Sequence, residues 1–285
     1  MPLTFDILIP TRERPDNMLA VMRSLKEHSA LPGNITVAFY VDHDDEASKA
    51  VIASVKDLAD GAFKELLFIM GERRPLVAAY NELAAYTNGD IIMYAADDIE
   101  FVTQGWDEMV ADFFWESKDR IWLVWAFDPA RPASNFPDHG FISRWGRNAV
   151  KYVFPSFGPH PKIPGSVGVA YTDVWLHAMY GFINRLKYLP DITIAHKHWH
   201  RREEAGGPVV DMDRTYFCSS IATQWRITPE YVVRNNEIPQ HAEMLKQVID
   251  FVERESDWLA EAGLAPFPVP DADKSIPVGE QVEGV

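Results

Sequence analysis

Two adjacent acids, Asp97 and Asp98, close a short apolar run at 91–99 (IIMYAADDI). Two carboxylates about 4 Å apart repel by roughly 4 kcal/mol at an effective dielectric near 20. That repulsion favours a counter-cation, and a divalent metal ion is the natural one; the competing role is capping of the segment that follows. Other groups suited to such chemistry stand at the ends of further apolar runs. Pro10, Thr11, Arg12 and Arg14 follow the run at 5–9, and Asp42 to Asp45 follow the run at 35–41. His196, His198 and His200 follow the run at 188–195; they share one face if the strand continues, and an imidazole is a good partner for a carboxylate at a metal ion.

The positioning elements follow from the apolar pattern. The runs at 5–9, 35–41, 66–70 and 91–99 read as strands buried on both faces, and Pro10 is expected to end the first. Helices are expected from Asp16, its N-cap, at 46–58 and at 76–86. This alternation, joined by short connections, predicts an α/β fold with a doubly wound, mostly parallel sheet flanked by helices. Ligands of such sheets sit beyond the carboxyl ends of the strands. Further on, 106–115 reads as a helix and 121–127 as a strand. The stretch 128–164 holds seven of the twenty prolines and reads as a long irregular connection. A strand at 167–170, a helix from Asp173 and a long helix at 239–262 complete the pattern, and 265–285 reads as a disordered tail. Domain bounds are set at 1–235 for a main unit, divided at 105/106, with a C-terminal helical extension at 236–264.

Composition narrows the function. The 285 residues carry a net charge of −15, which disfavours nucleic acid as a partner. One cysteine, Cys218, excludes an intrachain disulfide and fits a cytoplasmic setting. No apolar run is long enough to be a transmembrane segment. There is no G-x-G-x-x-G after the first strand, no P-loop and no G-x-S-x-G elbow. Trp125, Trp145 and Trp199 are read as core residues ahead of stacking platforms.

Four pieces in order then carry a resemblance: Ile7-Leu8-Ile9-Pro10-Thr11-Arg12, Asp42 closing the second strand, Ala78-Ala79-Tyr80-Asn81, and Asp97-Asp98. Over about 3–200 the chain resembles the GT-A fold of family 2-like glycosyltransferases. The resemblance implies a metal-dependent, inverting transfer of sugar from a nucleotide-diphospho sugar, a UDP-sugar first, to a hydroxyl acceptor. It implies a divalent cofactor, Mn²⁺ or Mg²⁺, on Asp98 with His196 or His198. It places Pro10, Thr11, Arg12, Arg14, Asp42, Asn81 and Asp97 around the nucleotide sugar, with Asp42 at the base. It divides a catalytic unit at 1–235 into a nucleotide-sugar half, 1–105, and an acceptor half, 106–235, and leaves a modified DNA base open as an acceptor. It makes Asp173 the catalytic base, with Asp211 or Asp213 in reserve. Two departures stand out: Tyr80 replaces the arginine many relatives carry before the Asn, and Thr172 replaces the acid before Asp173. Two other readings stay open, a nucleotidyltransferase on a similar sheet and a catalytically degenerate binding module.

Overall fold

The fold was derived from a computed structural model, which describes residues 2–74, 76–117, 120–130, 137, 139–150, 153–154, 176–177, 180 and 185–197. The strands are β1 (Phe5–Thr11), β2 (Ile35–Asp42), β3 (Glu65–Gly71), β4 (Ile91–Tyr94), β5 (Ile99–Phe101), β6 (Leu123–Phe127), β7 (Gly140–Ser143) and β8 (Leu186–His196). Among the described residues they form one sheet in the order β3-β2-β1-β4-β7-β6-β8-β5. The half built from β3, β2, β1 and β4 is parallel throughout. β7 runs antiparallel to both β4 and β6, β8 is parallel to β6, and β5 is antiparallel to β8. The expected α/β class and mostly parallel sheet are therefore present, with an antiparallel insertion at β7.

The helices are α1 (Pro15–His28), α2 (Glu46–Ala50), α3 (Ile52–Ala59), α4 (Leu76–Tyr86), α5 (Trp106–Glu116) and α6 (Arg144–Val150). Because successive side chains on a strand face opposite ways, β1 feeds two cores. Ile7 and Ile9 pack with Met18, Val21 and Leu25 of α1, while Leu8 packs with Val77, Tyr80 and Leu83 of α4. Both faces being covered explains the unbroken apolar runs.

Several boundaries differ from expectation, each for a local reason. β1 continues through Pro10 to Thr11, and Pro15 opens α1 at the first helical turn, where its missing N–H costs nothing, so Asp16 is not the N-cap. The helix expected at 46–58 is broken at Val51 into α2 and α3. The run at 91–99 is not one strand: β4 stops at Tyr94, and Asp97 and Asp98 lie in a turn before β5. The stretch at 128–164 is not wholly irregular, since β7 and α6 lie within it. β7 is only four residues, Gly140-Phe141-Ile142-Ser143, too short to show a period three residues after Pro137; Gly140 packs against Tyr94 and Leu123, where no side chain fits. Trp125 is buried as expected, but Trp145 is 45% exposed. The strand expected at 167–170, the helix at 239–262 and the tail lie outside the described residues; Leu176, His177 and Tyr180, within the helix expected from Asp173, are helical.

Candidate active site at the ends of β1, β2 and β4

The parallel register aligns three carboxyl ends. Thr11 lies opposite Val41, one residue before Asp42, and Leu8 lies opposite Tyr94, three residues before Asp97. The loop after β1, the end of β2 and the turn after β4 thus meet on one edge.

Asp97 is the buried member of the acid pair, 4% exposed. Its Oδ2 accepts from Thr11 Oγ1 at 2.7 Å, and its Oδ1 accepts from Arg14 at 3.0 Å and from Asn17 Nδ2 at 3.4 Å. Burial pushes its carboxyl above the usual range, with Asp98 adding to that, while Arg14 and Thr11 oppose it. Asp98 shares Arg14, whose NH1 reaches Asp98 Oδ2 at 3.4 Å. Its Oδ1 faces His196 Nε2 at 3.3 Å. Burial works against ionisation here too, but the hydrogen bond and charge of His196, with His139 and Arg14 behind them, hold the carboxyl at about 2. Neighbouring acids are thus driven in opposite directions by their surroundings. The turn geometry separates the pair: Asp97 turns in toward β1 and α1, and Asp98 turns toward the end of β8.

Asp42, nearly buried, pairs with the Arg12 guanidinium, which also forks onto Asp44 at 3.0 and 3.2 Å. Those partners raise the Arg12 pKa, and Asp44 is lowered first by Arg12. Asp45 caps α2, accepting from Ser48 N at 3.0 Å, and also accepts from Glu13 N at 2.7 Å, so it fixes the loop that carries Arg12 and Arg14. Pro10, partly buried, sits one residue before Thr11 in β1. Asn81 has a different environment: its Oδ1 accepts from Val153 N at 2.9 Å and Phe154 N at 3.2 Å, and its Nδ2 donates to Phe154 O at 2.7 Å. Tyr80 is buried, and its hydroxyl donates to Ala95 O at 2.8 Å, bracing the chain just ahead of the acids. His198, Asp173, Asp211 and Asp213 lie outside the described residues.

Sequence reasoning missed Asn17, His139 and Asp128. Asn17 was findable, being a polar residue on the inward face of the first turn of α1, one turn from Arg14. His139 and Asp128 sit in the proline-rich stretch without a periodic signal. His139 packs edge-on to His196, with ring centroids 4.7 Å apart at 78°. Asp128 Oδ1 accepts from the backbone N–H of His196 at 3.1 Å.

An ionised carboxylate facing an imidazole nitrogen suits a divalent ion such as Mn²⁺, which takes oxygen and nitrogen donors together. Among the described residues no group of three or more His, Cys, Asp or Glu side chains is gathered closely enough to enclose a cation.

Comparison with known proteins gives the family and the fold. The family model described as Glycosyl transferase family 2 matches residues 6–168, more than half of the chain. The chain belongs to glycosyl transferase family 2, and it is a glycosyltransferase. Among solved structures it is similar to the mannosyltransferase PcManGT from Pyrobaculum calidifontis, solved with GDP-Man and Mn²⁺, at 14% identity and a TM-score of 0.55; the match covers 92% of this chain and 80% of that one. It is also similar to S. aureus TarS 1-349, at 12% identity and a TM-score of 0.51, covering 68% of this chain and 60% of that one. These likenesses are of fold. No curated protein matches the sequence significantly. No described helix is long and apolar enough to cross a membrane.

Proposed function

We propose that this glycosyltransferase is metal-dependent and inverting, and moves a sugar from a nucleoside-diphosphate sugar, a UDP-sugar first, to a hydroxyl acceptor. The observation that carries the reading is the Asp98–His196 pair, one ionised carboxylate facing one imidazole at 3.3 Å beside the strand ends. PcManGT, the similar fold solved with GDP-Man and Mn²⁺, supports it. Asp98 and His196, with His198 as a further candidate, would hold Mn²⁺ or Mg²⁺; when bound, such an ion offsets negative charge on the departing diphosphate.

The chain's own residues do the rest. Asp42, held by Arg12, offers its other oxygen to an N–H of the base. Pro10 and Thr11 line the nucleotide. Asp97 has three donors in place, and a carboxylate has about four acceptor positions, leaving one for a ribose or sugar hydroxyl. Arg14, already spanning both acids, is placed to meet phosphate oxygens. Asn81 serves the donor site indirectly, by holding 153–154. Asp173 takes the proton of the acceptor hydroxyl as that oxygen bonds to the anomeric carbon. The bond from that carbon to the diphosphate oxygen breaks, the nucleoside diphosphate leaves, and attack opposite the leaving group inverts the centre. The single cysteine supports a cytoplasmic setting for this chemistry.

The test is a panel of nucleotide sugars incubated with the protein and Mn²⁺, followed by product analysis. The expected result is release of one nucleoside diphosphate with free or transferred sugar. Pyrophosphate release from a nucleoside triphosphate would show nucleotidyl transfer instead, and no turnover or binding of any nucleotide would contradict the reading.

A further inference from the structure

His196 is held from two directions by residues that no motif marks. Along β8, the pairing with β6 slips after Ala126↔Leu189 to Phe127↔Thr193, around Pro190, which has no N–H to give a ladder. No β6 residue pairs with His196; its ladder partner is Ile99 of β5. On the other side, Asp128 stands just past β6, and its Oδ1 accepts from both His196 N at 3.1 Å and Ala130 N at 3.0 Å. A side-chain oxygen thus does for His196 what a β6 carbonyl does for earlier residues of β8. The imidazole meets the ring of His139, just before β7, in a T-shaped contact, a geometry aromatic pairs favour. A His side chain has two soft torsions, and only part of their range presents Nε2 to Asp98.

We propose that His139 and Asp128 are positioning residues for the cation site, the ring of His139 fixing the rotation of the His196 imidazole and Asp128 fixing the strand end that carries it. The inference rests on the reading of Asp98 and His196 as the cation's protein ligands. Neither residue supplies a ligand: His139 acts through its ring plane and Asp128 through the backbone. Outer partners that hydrogen-bond a metal-binding imidazole change metal affinity by about 10- to 100-fold when removed, and the lower end of that range is the scale set for a ring contact and a backbone hold.

The measurement is Mn²⁺ affinity of the full chain in the presence of UDP, followed by loss of the free Mn²⁺ electron paramagnetic resonance signal. His139→Ala is expected to weaken binding by roughly tenfold or more. His139→Phe, which keeps the ring and removes both nitrogens, is expected to stay within about threefold of the parent, since the planar contact remains. Asp128→Ala is expected to weaken binding comparably to His139→Ala. Should His139→Ala fail to fold, His139→Leu, which fills the space without a planar ring, takes its place. Parent-like affinity in the Ala or Leu variant would overturn the proposal. So would equal losses in the Phe and Ala variants, which would make His139 a direct ligand. His196→Ala separates the two levels: if it binds Mn²⁺ like the parent, the ligand reading itself fails, whereas loss there with no loss at His139 defeats only the positioning claim.

Discussion

At the scale of single residues, the acid pair works by division of labour. Asp97 is anchored by Thr11, Arg14 and Asn17, and Asp98 is left to face His196. Thr11→Val tests the anchoring. Valine matches threonine in shape but leaves the buried Asp97 Oδ2 without its donor, and a buried acceptor so stranded costs about 1–3 kcal/mol. Urea unfolding should show a loss of that size; an unchanged midpoint would mean that the Thr11 bond contributes nothing. Opposite directions for Asp97 and Asp98 would follow from alternation if the run at 91–99 were one strand, but β4 stops at Tyr94 and a turn separates the two side chains. Asp42 was legible as a strand-end acid, while its pairing with Arg12 was not, because that contact spans thirty positions. The direction of Asn81 toward 153–154 was also hidden, since nothing in the sequence shows which loop packs over α4.

At the scale of elements, the loop between β1 and α1 carries Arg12 and Arg14, and the cap of α2 holds it. Asp45 is 1% exposed and serves two backbone donors, Ser48 N and Glu13 N. Asp45→Ala should cost about 1–2 kcal/mol, the upper range for a lost N-cap. Its folded pKa lies below the usual carboxylate value: burial opposes this, and the Ser48 and Glu13 bonds outweigh it. A depressed carboxyl contributes stability that is fully present well above pH 3.8 and fades as pH falls through the folded pKa. The stability gap between parent and variant should thus narrow as the protein is acidified below about pH 4; a gap that widens would contradict this linkage. Strands buried on both faces and the amphipathic α1, α4 and α5 were readable because burial on a regular period writes itself into the apolar pattern. β7 and α6 were not, because prolines, glycines and scattered aromatics carry no period.

At the scale of the whole molecule, one buried charge pair joins the parallel half to the antiparallel insertion. Asp6 of β1 is fully buried, its Oδ2 accepting from Arg144 of α6 at 2.5 Å and from Gly89 N at 2.7 Å, while Arg144 Nε donates to Gly89 O at 2.6 Å. Burial raises the Asp6 carboxyl, with Thr87, Arg144 and Gly89 opposing it. Arg144→Met leaves that charge uncompensated, and breaking such a pair costs about 3–5 kcal/mol near neutral pH. A carboxyl with a raised folded pKa is most favourable below its unfolded value and loses stability as pH rises through the folded one. Removing Arg144 strengthens that trend, so the variant's deficit should grow from pH 4 to pH 7. A deficit independent of pH would mean that Asp6 does not sense Arg144.

The central claim is that Asp98 holds a divalent cation needed for turnover. It is tested most directly by measuring Mn²⁺-dependent hydrolysis of the donor nucleotide sugar by the parent and by Asp98→Ala. The expected result is a parent silenced by chelator and restored by Mn²⁺, and a variant reduced by at least about 10²-fold, the scale seen when one group stabilising developing charge is removed. Full Mn²⁺-dependent turnover by Asp98→Ala would contradict the assignment.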